Sequence, residues 1–195
     1  MTEPRTRVRW TFLGTLPFAA AVLVLINAVY ITLVAIGNIT DYDTNYEFVK
    51  GVLSMDTINF EDAAHAGQDL DPDVSWRAIH SPVLWNIGYI LVIVWESLAG
   101  LVLLFASYKF ARAFIKDEPF ASARRWGSGG LLMIVALFAG GFIAIGGEWF
   151  QMWRSIVWNG EEAALRNALI ALLGIVLIHI ASPAWKKGHQ GELSS

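Results

Sequence analysis

The most constraining feature of this chain is the run of residues 11–40, which contains no Asp, Glu, Lys, Arg or His. An α-helix rises about 1.5 Å per residue, so part of this run is enough to cross a hydrocarbon core of about 30 Å. Three further apolar runs cover residues 83–107, 129–147 and 164–184. Charged residues make up 16% of the chain, against about 25% in soluble domains. The sequence therefore predicts an all-α integral membrane protein with four spanning helices.

The connections between these runs predict how the helices are arranged. We expect a single membrane domain, residues 1–195, folded as an antiparallel four-helix bundle with a cytoplasmic loop at 108–128. The outer loop, residues 41–82, is too long to be a simple connector in a compact bundle. Residues 45–57 have the pattern of an amphipathic helix, which predicts a helical cap on the outer, periplasmic side. A lid over a substrate is the alternative role for this helix.

Basic residues are concentrated on one predicted side of the bundle. Ten of the fourteen Lys and Arg residues precede the first run, separate the second from the third, or follow the fourth. By the positive-inside rule both termini are cytoplasmic, and the first run is an uncleaved anchor. No basic patch outside these inner segments supports nucleic-acid binding. The ten residues are Arg5, Arg7, Arg9, Lys109, Arg112, Lys116, Arg124, Arg125, Lys186 and Lys187.

Several kinds of chemistry have no support in the sequence. The absence of cysteine excludes disulfides, thiolate metal sites, iron–sulfur clusters and cysteine nucleophiles. The carboxylates of Asp69, Asp71 and Asp73 alternate as in a calcium loop, but Pro72 interrupts them and Val74 stands where glycine is required, so we expect a solvated turn. A short helix is predicted to start at Ser75 and Trp76. No nucleotide-binding, metalloprotease or serine-hydrolase motif is present, and we expect no metal or cofactor.

Glu96 is the main candidate residue inside the membrane. It lies near the middle of the second run, where a carboxylate costs roughly 2.5 to 3.5 kcal/mol on insertion scales and normally has a partner or a function. Asn27, in the antiparallel first run, is its predicted hydrogen-bond partner, with Tyr30 and Thr32 as further candidates. One interpretation is a hydrogen bond that holds two helices in register. The alternatives are a proton-relay or ion-binding carboxylate, and a contact for a polar ligand headgroup.

His179 lies in the fourth run, about one turn from its predicted cytoplasmic end. Haem between membrane helices usually needs two histidines at matching depth, and His65, His80 and His189 are poorly placed for this. We therefore expect a hydrogen-bonded or snorkelling His179 rather than a haem ligand.

A second group of candidate residues lies at the predicted outer surface. Small residues precede Glu148 at intervals of four: Ala144, Gly140 and Ala136. Because such a stripe lets helices approach closely, it predicts that Glu148 faces protein, where it is either a structural ion partner of an arginine or a functional carboxylate. We expect a cluster near the cap that forms a charge network or lines a pocket, composed of Asp56, Trp76, Arg77, Glu148, Trp149, Trp153 and Arg154.

Two motifs in the outer segments are specific rather than compositional. They occur together with Glu96 and consist of Asn45-Tyr46-Glu47-Phe48-Val49 with Val52-Leu53-Ser54-Met55-Asp56-Thr57 and Trp76-Arg77-Ala78-Ile79, and of Gly147-Glu148-Trp149-Phe150-Gln151-Met152-Trp153 with Trp158-Asn159-Gly160. In these residues, and over roughly residues 13–180, the chain resembles the bacterial predicted small integral membrane proteins, a family described as a domain of unknown function. The resemblance implies four spans and a bacterial inner membrane. It implies no activity.

The sequence favours a non-enzymatic role, because it holds no complete catalytic set. We expect an accessory or assembly subunit, or a self-associating unit, whose partners are the lipid bilayer and either further copies of the chain or a larger membrane complex. The alternative is a transporter or channel that conducts protons or a small solute past Glu96. A third hypothesis is an enzyme that acts at the outer leaflet through Glu148.

Overall fold

The computed structural model describes residues 12–186, which form helices and short connections without a β-strand in that range. Four of the helices are long and apolar enough to span a membrane. The prediction of an all-helical integral membrane protein is therefore confirmed. The helices are α1 (Leu16–Thr40), α2 (Tyr42–Ser54), α3 (Pro72–Ser75), α4 (Pro82–Lys116), α5 (Ala121–Val135), a π-helix (Ala136–Trp149) that continues α5, and α6 (Glu161–His179).

The spanning helices form an antiparallel four-helix bundle. Helix α1 packs along α4, α4 along α5 and α5 along α6, and α6 closes the bundle against α1 and the π-helix. We call the end that carries α2 and α3 the capped end. The opposite end, where α4 meets α5 and α6 terminates, is the basic end, and its described basic residues are Lys109, Arg112, Lys116, Arg124, Arg125 and Lys186. Four residues of the predicted basic set, Arg5, Arg7, Arg9 and Lys187, lie outside the described residues, as does His189.

The boundaries of α4 and α5 lie outside the apolar runs. Helix α4 begins where the Ser81 hydroxyl accepts a hydrogen bond from the Leu84 amide at 3.5 Å, and it continues to a left-handed Asp117 (φ 56°). It therefore extends nine residues beyond the predicted end at residue 107. Lys and Arg are good helix formers whose stems cover apolar surface, so the helix does not end where the hydropathy falls. The predicted loop at 108–128 shortens to residues 117–120, and the third spanning helix begins at Ala121 instead of residue 129.

Helix α6 begins earlier and ends earlier than the predicted span at 164–184. Glu161 and Glu162 form its first turn, where carboxylates interact favourably with the positive end of the helix dipole. The helix ends at His179, and Pro183 follows in a short 3₁₀ turn capped by Ser182. The charged residues at the start of α6 thus belong to the helix, although the apolar run begins after them.

The amphipathic cap predicted at residues 45–57 is present as α2, which begins and ends three residues earlier, at Tyr42–Ser54. Only Asp41 separates it from α1, and it crosses the mouth of the bundle. The Phe48 ring stacks on Phe142 of the π-helix at 6.1 Å between centroids and meets the Trp158 ring edge-on at 6.2 Å. Beneath and beside α2, a second apolar cluster comprises Val52, Met55, Ile58, Phe150 and Met152.

The short helix of the outer loop starts earlier than predicted. Helix α3 covers Pro72–Ser75, and its cap is Asp71, whose carboxylate accepts a hydrogen bond from the Asp73 amide at 3.0 Å. The prediction of a start at Ser75 is therefore wrong. Proline at the first position has no amide hydrogen to satisfy there, which makes Asp71-Pro72 the better start signal.

The π-helix is the largest departure from the sequence-based expectation. Its hydrogen bonds run from residue i to i+5, so each turn takes more residues than in an α-helix, and such segments are usually a single turn. Here it covers fourteen residues, Ala136–Trp149. Counting by fours does not follow one face of such a helix. The prediction that Glu148 faces protein is wrong, because Glu148, Ala144 and Ala136 are all exposed.

The half of the bundle nearer the basic end has a tightly packed apolar interior. It contains Leu103 and Leu131, both completely buried, and Phe110 at 1% exposure. Gly130 brings α5 close to α4, because a Cβ at Gly130 would lie 2.6 Å from side-chain carbons of Leu103. These apolar contacts hold the four helices together near the basic end, whereas the capped half contains a buried polar group and cavities.

Candidate functional site

Glu96 is buried in the bundle and hydrogen-bonded to α1. Its side chain on α4 is 2% exposed, and the Asn38 amide Nδ2 donates a hydrogen bond of 2.7 Å to its Oε2 atom. No other described residue forms a hydrogen bond with this carboxyl, so Oε1 has no protein donor. The predicted partner, Asn27, is wrong. The Asn27 amide instead donates to the Leu23 carbonyl of its own helix at 2.8 Å.

The register between α1 and α4 explains this correction. Gly100 lies against Thr32, since a Cβ at Gly100 would be 2.8 Å from the Thr32 hydroxyl oxygen. In antiparallel helices this contact places Glu96, one turn before Gly100, near the end of α1 rather than near its middle. The other two candidate partners also fail: the Tyr30 hydroxyl accepts a hydrogen bond from Asn167 at 2.7 Å, and the Thr32 hydroxyl has no hydrogen-bond partner among the described residues.

A chain of polar groups leads from Glu96 to the surface of the cap. The Asn45 amide Nδ2, on α2, donates a hydrogen bond of 2.6 Å to the Asn38 side-chain oxygen, whose amide in turn reaches Glu96. The Tyr89 hydroxyl donates to the Asn38 backbone carbonyl at 3.3 Å. Asn38 is buried, whereas Asn45 is exposed. The buried carboxyl is therefore connected to the capped end through only two amides.

Glu96 lines a cavity of about 250 Å³, which we call the capped cavity. It lies within the four-helix bundle beneath α2. Glu96 is its only acidic residue, and no Lys, Arg or His lines it. Its other polar side chains are those of Tyr30, Asn38, Asn45, Tyr89 and Asn167, and its apolar walls are Val34, Phe48, Val49, Val92, Phe138, Phe142, Ala163 and Ala164, with Gly160.

A second cavity, of about 160 Å³, adjoins the capped cavity on the other side of shared wall residues. Phe48, Val49, Val92 and Phe142 line both spaces. Apart from these, the second cavity is lined by apolar side chains and glycines of α2, α4 and the π-helix and by Phe150 and Met152. Together the two spaces offer a polar end at Glu96 and an apolar end beneath the cap.

The polar lining does not continue toward the basic end beyond Tyr30 and Glu96. Ala28, Ile31 and Ala99, which come next, are 0–1% exposed and apolar. The buried polar side chain nearest to the basic end among the described residues is Asn27, and its amide is bonded to its own helix. The capped cavity is thus closed from the basic end by packed apolar side chains.

The predicted outer cluster divides into two separate groups. In the first, the Arg77 guanidinium lies beside two indole rings that contact each other, 5.6 Å from the centroid of Trp76 and 4.9 Å from that of Trp149. The Arg77 Nη1 atom also donates to the Trp149 backbone carbonyl at 3.3 Å. Trp76 is 68% exposed and Trp149 is 48% exposed. Exposed indoles at this end are typical of the membrane interface.

In the second group, Arg154 pairs with Asp71 rather than with Asp56 or Glu148. The Arg154 Nη1 atom lies 3.0 Å from the Asp71 carboxylate, and its guanidinium lies 5.2 Å from the Phe60 ring, which contacts Trp153. The guanidinium beside Asp71, together with the Asp73 amide, holds the pKa of that carboxyl below its usual value. The predicted single network of Asp56, Arg77, Glu148 and Arg154 does not form.

His179 has the hydrogen bond expected for it. Its Nε2 atom lies 2.9 Å from the Ser128 hydroxyl of α5, near the basic end. Within residues 12–186, no group of three or more His, Asp or Glu side chains is arranged to hold a metal ion.

The sequence did not predict that Asn38, Asn45, Tyr89 and Asn167 line a cavity, although Asn45 belongs to one of the outer motifs. A signal for two of them was present, because Asn38 and Asn45 are seven residues apart, about two helical turns, and would share a face if the helix continued. Because the apolar run ends at residue 40, Asn38 and Asn45 were assigned to different predicted helices and their spacing was not considered. Tyr89 and Asn167 gave no comparable signal, since their helices carry other polar residues that face away from the cavity.

Comparison with known proteins gives the chain a family. No match was found among curated proteins or among solved structures. The model of one protein family does match, and its description contains no activity. That match covers residues 16–181, so it includes all four spanning helices, the cap and every residue of the capped cavity. The chain therefore belongs to the family of predicted small integral membrane proteins designated DUF2165.

Proposed function

We propose that this protein is a non-enzymatic membrane protein that binds a small molecule in the capped cavity, with Glu96 as the recognition group. One observation carries the proposal: Oε1 of a carboxyl that is 98% buried has no protein donor and belongs to a side chain that lines a cavity. A buried carboxyl that serves only to hold two helices together would gain from having both oxygens bonded. A ligand donor at Oε1 would supply the second hydrogen bond.

The lining supports a small organic cation or another hydrogen-bond donor as the ligand. Glu96 is an acceptor and has no basic residue beside it in the cavity. Aromatic rings attract organic ammonium groups through their faces, and Phe138, Phe142 and Tyr89 provide rings around the carboxyl. The volume of about 250 Å³ is below the range of roughly 300–1,000 Å³ for drug-sized ligands. A short alkylamine, with its apolar tail toward the second cavity, fits these features.

The position of α2 supports binding from the capped end. This helix covers the cavity through Phe48 and Val49, and it carries the exposed Asn45 whose amide leads to Asn38 and Glu96. A ligand that enters beneath α2 would meet amide groups first and the carboxyl last. In this proposal α2 is both the structural cap and the cover of the site.

An accessory or self-associating role is the second non-enzymatic candidate, and a different feature favours it. The third spanning helix turns small residues outward: Ala136 and Ala144 are exposed, and nothing lies within 4 Å of a Cβ built at Gly129 or Gly140. Small residues of this kind allow another membrane helix to pack closely. The oligomeric state in mild detergent tests this role, and Gly140→Leu should dissociate an oligomer that uses the face.

Conduction past Glu96 and catalysis at Glu148 have weaker support. A proton or solute that reached Glu96 would next meet Ala28, Ile31 and Ala99, which are packed and apolar. Glu148 is exposed and lines neither of the two cavities. We therefore expect reconstituted protein to conduct protons no faster than protein-free vesicles do. Flux that is abolished by Glu96→Gln in an intact protein would favour the transporter instead.

We also propose a location in the bacterial inner membrane with both termini in the cytoplasm. The basic end carries Arg124, Arg125 and Lys186, whereas the capped end carries most of the acidic residues. The positive-inside rule then orients the capped cavity toward the periplasm. Labelling of single cysteines at the two ends with a membrane-impermeant thiol reagent tests this orientation.

The binding proposal is tested with a matched pair of probes, n-butylamine at neutral pH and the uncharged n-butanol. The purified protein in mild detergent should melt at a higher temperature with the amine than with the alcohol. Glu96→Gln should remove this difference, whereas Glu148→Gln, which changes an exposed carboxyl, should keep it. Equal stabilisation of the wild type and Glu96→Gln by the amine would contradict the proposal.

A further inference from the structure

A groove at the basic end of the bundle lies far from the capped cavity and shares no residue with it. It has a volume of about 510 Å³ and runs between α5 and the C-terminal end of α6. Basic and hydroxyl side chains line its upper part, nearest the basic end, and Gly129 and Leu132 line its lower part, nearer the middle of the bundle. No Asp or Glu belongs to this lining. The groove therefore has a positive charge that no lining residue neutralises.

The two arginines of the groove differ in how they are held. The Arg124 Nε atom donates a hydrogen bond of 2.9 Å to the Ile178 carbonyl, and its guanidinium lies 4.7 Å from the centroid of the Trp185 ring. These contacts fix its orientation, and its two terminal amino groups donate to no described residue. Arg125 is exposed and makes no hydrogen bond or ion pair within residues 12–186. Several guanidinium donors thus remain available at one place.

The lower part of the groove is shaped for an apolar chain. A Cβ built at Gly129 would have no atom within 4 Å, so the helix surface there is bare. Leu132 is 54% exposed and follows Gly129 by about one helical turn, toward the middle of the bundle. Between the arginines and this surface, the Ser128 hydroxyl and His179 Nε2 are 2.9 Å apart. Along α5, from the basic end toward the middle of the bundle, the groove is lined first by polar side chains and then by a bare helix face.

We propose that this groove binds an anionic phospholipid of the surrounding leaflet. The lipid phosphate would lie between the Arg124 and Arg125 guanidinium groups, because planar guanidinium groups form paired hydrogen bonds with phosphate oxygens. Ser128 and His179 would contact the glycerol region, and an acyl chain would cover Gly129 and Leu132. Basic pockets between membrane helices are a common place for acidic headgroups. This inference does not depend on the function proposed for Glu96.

The test is native mass spectrometry of the full-length protein released from mixed micelles that contain equal amounts of phosphatidylglycerol and phosphatidylcholine. The wild type should retain phosphatidylglycerol in preference. Arg125→Gln should lower this retention about fivefold, the effect of removing one basic residue near an anionic headgroup. Gly129→Leu should lower it as well, because its side chain fills the groove without removing charge. Lys116→Gln is the control, since it removes one basic residue at the same end outside the groove and should retain the lipid.

Three results would overturn the inference. The first is an equal loss of phosphatidylglycerol in Arg125→Gln and Lys116→Gln, which would mean that total charge alone attracts the lipid. The second is unchanged retention in both Gly129→Leu and the smaller Gly129→Ala variant, each with wild-type helix content by circular dichroism. The third is displacement of the lipid by millimolar inorganic phosphate, which would indicate a site for free anions.

Discussion

The capped half and the basic half of this bundle contain the same four helices but are filled in different ways. Near the basic end, Leu103, Phe110 and Leu131 are almost completely buried in one apolar cluster. Near the capped end, the helices leave two partly open cavities of about 250 and 160 Å³, and Glu96 and Asn38 are buried beside the larger one. In a bilayer, helices associate mainly through close packing and hydrogen bonds, because lipid tails are as apolar as the side chains.

This difference in packing indicates that the basic half contributes more to the stability of the bundle than the capped half does. Cavities lose dispersion contacts, and a buried carboxyl is costly, so the capped half is less stable than its composition allows. Local departures from good packing are expected at functional sites. The basic half is then the more tightly packed part of the bundle, and the capped half is the part in which we propose that a ligand binds.

The strongest test of this comparison is the same truncation in both halves. Leu103→Ala should lower the free energy of unfolding by about 2 kcal/mol or more, because its packed neighbours cannot close the space. Leu137→Ala, at the wall of the second cavity, should lower the free energy of unfolding less than Leu103→Ala does, since that wall already lacks neighbours on one side. The measurement is unfolding in mixed micelles with increasing SDS. Equal losses in the two variants would mean that the halves do not differ in packing.

Two neighbouring glycines test the packing of the basic half by adding a side-chain atom instead of removing several. Gly130→Ala should destabilise the bundle by about 1–3 kcal/mol, because its Cβ would overlap the buried Leu103 side chain. Gly129→Ala is the matched control and should cause no loss, since its Cβ meets open space. The same SDS titration measures both variants. If Gly130→Ala were as stable as the control, the basic half would be looser than described.

The hydrogen bond between Asn38 and Glu96 should contribute about 1 kcal/mol, which is within the range for polar contacts between membrane helices. A double-mutant cycle with Asn38→Ala and Glu96→Ala, each of which removes one partner of the bond, should therefore show a coupling energy. A second cycle, with Asn27→Ala in place of Asn38→Ala, should show none, because the Asn27 amide bonds to its own helix. A coupling found only in the Asn27 cycle would contradict the register described above and would favour the predicted pairing of Asn27 with Glu96.

The smallest expected effect concerns the surface of the capped end. Arg154 holds the pKa of Asp71 below its usual 3.8, so the folded state binds this proton less readily than the unfolded state does. The stabilising contribution is present above pH 3.8 and is lost as the pH falls through the lower folded-state pKa. Asp71→Asn should slightly lower the melting temperature at pH 7, and the difference from the wild type should vanish in strong acid. Arg154→Gln should behave in the same way, and a pH-independent difference would contradict the pairing.

The architecture was largely predictable from the sequence, for a physical reason. Within a bilayer every backbone group must be satisfied internally, so a long apolar run in this chain has to be a helix. Several ends of the helices were not predictable from hydropathy, because local features such as the Asp71 cap and the left-handed Asp117 set them. The π-helix was also invisible, since no pattern in residues 136–149 distinguishes it from an α-helix.

The candidate site was predictable only in part. Glu96 stood out because a carboxyl inside an apolar run is costly wherever it lies. Its partner was missed because the register of two helices depends on side-chain contacts, such as Gly100 against Thr32, and not on the midpoints of apolar runs. The cavity required the cap to be placed over the bundle, and the sequence of α2 gives its apolar face but not its position.

The central claim, that the capped half is accessible to a small cation and the basic half is not, is tested most directly by cysteine labelling. The chain has no native cysteine, so Val92→Cys and Ala99→Cys each provide a single thiol. The two positions are two turns apart on one face of α4, on either side of Glu96, one lining the capped cavity and the other 1% exposed in the apolar interior. With aminoethyl methanethiosulfonate, a small cationic reagent, we expect Val92→Cys to be labelled, n-butylamine to slow that labelling, and Ala99→Cys to remain unlabelled. Equal labelling at both positions, or at neither, would contradict the account.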